Sequence, residues 1–273
     1  MNSSHPRLAV LLARDRPVGA ILRRGPSRWA CVLRWDVEHD DFELGDWFKG
    51  RIYERRCDLS PDGRLLAYFS AAFYARQPNT EITYSRTAVS ELPSLQPIIS
   101  WEKDHCWHGG GLFRSKDHLW VNDPAATPTW REEDTLALTF NEEAHGEDEP
   151  VYARRLDRDG WHVLVPWASD ASGKPYEVRR RVGPSGWSIV MTRSLDGFRK
   201  VTGYELRAPD GAIQPMDAEW ADFDQLGRLV GARRGEIVQM QPADTASQTI
   251  VLADLNALAP PGIDSNSRQW RPR

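Results

Sequence analysis

A Gly or Pro interrupts this chain about every seven residues, 20 Gly and 19 Pro among 273 positions. Typical helices need ~8–20 uninterrupted residues, so few fit. What lies between the interruptions has strand character. Arg7–Ala13, Pro17–Leu22 and Trp29–Trp35 are short and rich in apolar or β-branched residues. Arg51–Leu59 partly alternates between polar and apolar, meets Ser60-Pro61-Asp62-Gly63, and re-emerges as Arg64–Ser70. Pro fixes φ at the second position of such a turn and Gly accepts a positive φ two residues later, so the corner has a mechanism. Thr80–Thr87 and Pro97–Glu102 are the next strand candidates.

The same grammar returns. Arg154–Leu164 reads as a strand end, an Asp159-Gly160 turn and a new strand, and Ala221–Ala232 repeats the pattern around Gly227. Aligned on Gly63, Gly160 and Gly227, the three segments share an apolar residue four positions earlier (Leu59, Leu156, Phe223), then Ser or Asp. Arg114–Val121 is a weaker copy without the glycine, and Pro184–Gly186, Asp196-Gly197 and Pro209–Gly211 read as ordinary hairpin turns. Gly63 and Gly160 lie about two units of ~48 residues apart, the period of four-stranded propeller blades. The expectation is an all-β, β-propeller-like chain of about five four-stranded blades. It forms a single domain over residues 1–258, with a Pro-rich C-terminal tail at 259–273. Asn141–Pro150 (NEEAHGEDEP) reads as a short acidic loop.

Leu59-Ser60-Pro61-Asp62-Gly63-Arg64-Leu65-Leu66-Ala67-Tyr68 resembles the blade motif of TolB-like, WD40-like β-propeller repeat proteins. Trp107–Phe113 and Ala218–Asp224 are similar to stretches of uncharacterised bacterial proteins. The resemblance implies the propeller architecture and carries no activity.

Composition excludes several classes. With 35 Lys+Arg against 39 Asp+Glu and a net charge of −4, the basic surplus of a general nucleic-acid binder is missing. Arg154, Arg155 and Arg158, and Arg179-Arg180-Arg181, are local runs, and alternation splits the latter across a strand. The apolar run Leu8–Leu12 is too short for a membrane helix or a secretory core. Three cysteines, Cys31, Cys57 and Cys106, make no closed disulfide framework and no CxxC pair. A reduced, cytoplasmic protein with no membrane and no nucleic-acid partner is expected.

The densest chemistry is Asp104-His105-Cys106-Trp107-His108-Gly109-Gly110-Gly111. As a strand it would place His105 and Trp107 on one face and Cys106 and His108 on the other. Cys106 and His108 then need two further ligands, from Cys31, Cys57 or His118, to hold a metal. Gly109–Gly111 matches no phosphate-binding loop, because no helix and no Lys-Ser/Thr follow; a bulge or close backbone approach is the better reading. No Gly-x-Ser-x-Gly elbow is present. The acidic pairs Asp40-Asp41, Glu132-Glu133 and Glu142-Glu143 read as solvated surface.

Twelve Trp are about three times average usage. Two-thirds of them are assigned to packing between sheets, Trp161, Trp187 and Trp220 among them, and the rest to exposed contacts. These features favour a non-catalytic interaction or ligand-recognition module with a protein or small-ligand partner. Trp107, His108, Gly109, Gly110 and Gly111 form its candidate binding site. No catalytic residue, metal or cofactor is assigned. The competing readings are two. One is a hydrolase or lyase using His105, His108 and His118 with carboxylates or a metal at the propeller centre; the other is a sugar-binding propeller with several exposed tryptophans.

Overall fold

Leu65–Ala71 (LLAYFSA) has no polar face to offer water, and all seven residues are buried. A strand that reads as a continuous apolar run must be covered on both sides. In the computed structural model, which describes residues 5–25, 28–72, 85–124, 128–130, 136–144, 146–196, 199–241 and 248–260, that is its situation. The fold is all-β, with five mainly antiparallel sheets, a five-bladed β-propeller fold. The chain divides into two compact units, one of residues 1–155 with 257–273, the other of residues 156–256.

The first unit holds three sheets. β1 (Arg7–Leu12), β2 (Val18–Arg24), β3 (Trp29–Asp36) and β4 (Asp41–Lys49) pair in sequence order. The second sheet contains β5 (Arg51–Ile52), β6 (Asp58–Leu59), β7 (Leu65–Ala71), β8 (Ser85–Glu91) and β9 (Ile99–Lys103). The third has β10 (Gly111–Ser115), β11 (His118–Val121) and β13 (Ala137–Phe140), while β12 (Thr129–Trp130) returns to pair with β9. Alternation along β7 explains its burial. Leu66 and Tyr68 join Leu22, Val32 and Phe48 in the core shared with the first sheet. Leu65 and Ala67 join Trp101, Phe113, Leu119 and Val121 in the core shared with the third. Asp58, itself buried, accepts a hydrogen bond from the Phe113 N–H at 2.7 Å and ties β6 to β10.

α1 (Glu149–Arg158) leads into the second unit. Its fourth sheet is β14 (His162–Ser169), β15 (Pro175–Val182), β16 (Ser188–Asp196), β17 (Arg199–Arg207) and β18 (Ile213–Met216). The fifth is β19 (Trp220–Phe223), β20 (Leu229–Arg233), β21 (Glu236–Gln241) and β22 (Gln248–Asp254). β14 is an edge strand exposed along most of its length, with Pro166 in its middle and two register shifts against β15, devices that discourage pairing with another chain.

Three of the sequence expectations need correction. Among the described residues the five sheets have four, six, three, five and four strands rather than a uniform four, and β11 pairs with β13 in parallel. Arg51–Leu59 is not one strand: a 3-10 turn over Glu54–Arg56 separates β5 from β6 and turns Arg56 fully inward. Arg154 does not end a strand but sits in α1. Pro150 opens that helix where a missing N–H costs nothing, and Val151, Tyr152, Arg155 and Leu156 supply its buried face. At its end the Trp161 N–H reaches the Leu156 carbonyl at 2.9 Å and the Gly160 N–H the Asp157 carbonyl at 3.2 Å, with Gly160 at φ +84. This is a Schellman stop. The other two aligned segments are true corners: the Gly63 and Gly227 N–H groups bond to the Ser60 and Asp224 carbonyls at 2.9 Å. Residues 80–84 of the Thr80–Thr87 strand candidate, Gly197, and residues 261–273 of the expected tail lie outside the described residues.

Candidate functional site

The loop between β9 and β10, residues 104–110, carries the cluster singled out in the sequence. It is irregular backbone, so the expected separation of its side chains onto two strand faces does not occur. The His105 and His108 rings meet edge to face with centroids 4.7 Å apart. Trp107 between them is 61% exposed.

Buried groups fix this loop from beneath. Arg56, fully buried and lying 4.9 and 4.8 Å from the Tyr53 and Phe69 rings, donates through Nη1 to the Cys106 carbonyl at 2.8 Å. Its Nε is paired with Asp148 at 2.8 Å, and Glu147 lies 3.8 Å from Nη2. The Ser85 hydroxyl donates to the His105 carbonyl, and the Gly110 N–H to Thr87 Oγ1 at 2.9 Å. Close approach explains the glycines: a Cβ on Gly110 would lie 2.2 Å from the Arg56 carbonyl oxygen, and one on Gly109 2.4 Å from the Phe69 ring. The glycine run is a seating device, as the structural reading of Gly109–Gly111 expects.

The electrostatic centre is a pair that the sequence did not reveal. Lys103, at the end of β9, and Asp123, just past β11, form an ion pair with both side chains buried. Lys103 Nζ also lies 2.6 Å from His108 Nδ1, and Asp123 Oδ1 lies 3.4 Å from the same nitrogen. Burial pulls Lys103 below the ordinary lysine value, with Asp123 opposing it. Burial, then the neighbouring Lys103 charge, lowers the His108 pKa, again against Asp123. An ammonium has only protons to give, so Nδ1 of His108 is the acceptor, and the neutral ring keeps its proton on Nε2. His105 is arranged likewise, its Nδ1 accepting from the Trp107 N–H at 3.3 Å. The loop therefore offers two imidazole Nε2–H donors beside an exposed indole.

No family model and no curated protein matches the chain. Among solved structures, it is similar to an uncharacterised protein of Listeria monocytogenes, at 10% identity and a TM-score of 0.31, over 95% of this chain and 86% of the other. It is also similar to an endo-arabinase of Bacteroides thetaiotaomicron, at 10% identity and a TM-score of 0.19, over 92% and 77%. Overlaps this loose leave the site to be read from its own residues.

Of the residues expected at the site, Trp107, His108, Gly109, Gly110 and Gly111 belong to one pinned segment running into β10. His118 stands apart on β11, 2.6 Å from Thr139 Oγ1. Cys31 and Cys57 are buried in the core, where desolvation pushes both thiols up to about 12. Among the described residues no three His, Cys, Asp or Glu side chains converge in a metal-binding arrangement. The acidic stretch before α1 is not all solvated loop, because Asp148 is buried against Arg56. Of the described tryptophans, Trp35, Trp101, Trp120 and Trp161 are buried, and Trp107 and Trp167 are exposed.

In the second unit the strongest perturbation is at Asp222, whose carboxyl burial pushes up to about 6. It contacts Arg181, accepts from Trp161 Nε1 at 3.3 Å, and accepts from the Phe223 N–H at 2.7 Å. With its oxygens so occupied it acts as a structural tie.

Proposed function

We propose that the 104–110 loop of the first unit is a non-catalytic recognition site for an oxygen-rich small ligand with an apolar face, of which carbohydrates are the common class. The observation that carries this is the engagement of both imidazole Nδ1 atoms inside the loop, by Lys103 and by the Trp107 N–H. What remains for a ligand is two N–H donors and an indole face. Donors suit hydroxyl or carboxylate oxygens, and the indole suits a ring face. Anchoring by Arg56, Ser85, Thr87 and Lys103 lowers the ordering cost of binding. The blade-motif resemblance of Leu59–Tyr68 supports the propeller scaffold alone, and the free thiols Cys31, Cys57 and Cys106 suit a reducing compartment.

A hydrolase built on His108 would need its Nδ1 lone pair or an acceptor Nε2 as the base. Lys103 takes the first, and the tautomer this imposes removes the second. The test is calorimetric titration with neutral mono- and oligosaccharides, comparing the wild type with Trp107→Ala. The expected result is saccharide binding that weakens at least tenfold, or about 1.4 kcal/mol, in the variant. Binding that ignores Trp107→Ala would overturn the reading, as would saccharide cleavage by the wild type that is lost in His108→Gln.

A further inference from the structure

The cluster beneath the 104–110 loop balances its own charge. Lys103 and Asp123 cancel, and Arg56 is offset separately by Asp148, with Glu147 near its Nη2. His108 stands among them as a neutral ring whose side chain is 14% exposed. Its Nδ1 has two neighbours of opposite character: Lys103 Nζ, a donor, at 2.6 Å and Asp123 Oδ1, an acceptor, at 3.4 Å. The neutral ring uses the first. An imidazolium carries a proton on both nitrogens, so its Nδ1 would leave the ammonium and turn to the carboxylate. An acceptor for a second proton is already in place.

Surroundings keep that proton off the free protein. Burial, then Lys103 at the end of β9, with His105 in the loop and Arg56 in the 3-10 turn, disfavours protonation of His108, and Asp123, just past β11, favours it. A further negative charge at the other ring nitrogen would tip this balance.

We propose that the ligand of this loop carries a carboxylate, as uronic acids do, and that its binding draws a proton onto His108 Nδ1. This rests on the reading of residues 104–110 as a saccharide site and adds the charge of its ligand. A carboxylate set against the His108 Nε2–H would leave one uncompensated negative charge beside the buried Lys103–Asp123 pair, and an unbalanced buried charge is costly. One proton on His108 restores neutrality. The imidazolium then bridges two carboxylates, Asp123 at Nδ1 and the ligand at Nε2, through charge-assisted hydrogen bonds. A sugar hydroxyl in the same position brings no charge and leaves the ring neutral. Trp107, exposed beside it, takes the sugar ring in either case.

The probe is methyl glucuronide, titrated by calorimetry at pH ~6 and pH ~7.5, either side of the imidazole range, in buffers of differing ionisation heat. Methyl glucoside and acetate are separate arms. The glucuronide is expected to bind about threefold more tightly or better at the lower pH, with net proton uptake. The glucoside is expected to bind with little pH dependence and no uptake. Acetate, which has no ring for Trp107, is expected to bind about tenfold more weakly than the glucuronide or worse. His108→Gln is expected to abolish the uptake. In the wild type, NMR should show the His108 midpoint rising on saturation with the glucuronide and staying put with the glucoside. A glucuronide that follows the glucoside's pH profile, or binds without proton uptake, would overturn the proposal and leave the saccharide reading standing. So would uptake that persists in His108→Gln, an unmoved His108 midpoint, or acetate binding as tightly as the glucuronide. Failure of both sugars to bind would overturn the two readings together.

Discussion

Replacing Lys103 with Met leaves the Asp123 carboxylate, 3% exposed at its side chain, without its ammonium. Removing one partner of a buried pair costs about 3–5 kcal/mol, whereas replacing both with apolar residues is often neutral. Chemical denaturation is therefore expected to show a loss of that size in Lys103→Met and recovery of most of it in Lys103→Met/Asp123→Leu. The pair also governs titration nearby. His108 faces Lys103, His105 and Arg56, which disfavour its protonation, and Asp123, which favours it; with burial the balance lowers its pKa. The unfolded chain takes up a proton near ~6.5, and the native ring only at lower pH. The contribution to stability is whole above the ordinary imidazole range and falls as pH drops through ~6.5 toward the native value. NMR titration of the His108 ring should place its midpoint below that of the exposed His39, whose partner Asp36 raises it, and His108→Asn should flatten the acid slope of stability. Neither Lys103 nor Asp123 drew notice in the sequence. Nothing local marks one lysine at a strand end or one aspartate after another strand until pairing of the second and third sheets brings them together.

At the scale of elements, corners are cheap to read and helix stops are not. Gly63 and Gly173 have the same left-handed backbone, φ +74 and +78, and similar hydrogen bonds, to the Ser60 and Asp170 carbonyls at 2.9 Å. They differ in surroundings: a Cβ on Gly63 would lie 2.7 Å from Val18 Cβ, and one on Gly173 would meet nothing within 4 Å. Gly173→Ala is expected to cost about 1 kcal/mol, the backbone term alone, and Gly63→Ala distinctly more, by urea midpoint at constant slope. The Ser60–Gly63 and Asp224–Gly227 corners were legible because their hydrogen bonds lie within five residues. Asp159-Gly160 obeys the same residue rule and ends a helix. A positive φ after a polar residue serves a Schellman stop as well as a hairpin, and only the buried side of α1 separates the two. The same limit hid Arg56, whose inward turn depends on Asp148, 92 positions away.

For the molecule as a whole, the expected five sheets are present, although one glycine that set the repeat period, Gly160, ends a helix, and strand number per sheet followed pairings such as β12 with β9 that no local pattern encodes. Net charge, −4 overall, likewise concealed the cross-strand pairing of Arg7 with Arg24. The residues after the second unit serve the first. The buried Arg23 donates through Nη2 to the Leu258 carbonyl at 2.9 Å. A chain ending at Asn256 loses this bond, and hydrogen bonds to charged groups contribute about 1.5–3 kcal/mol. Thermal unfolding of that truncation is expected to begin earlier, with the change in amide exchange centred on β2.

That bond joins residues 235 positions apart, so it also orders events in time. On the ribosome Arg23 emerges long before its acceptor, and all of residues 156–256 must be made before Leu258 exists. Domains generally fold as they emerge, N-terminal part first. Here the earliest strands are held back from their last contact until synthesis has passed through the entire intervening unit.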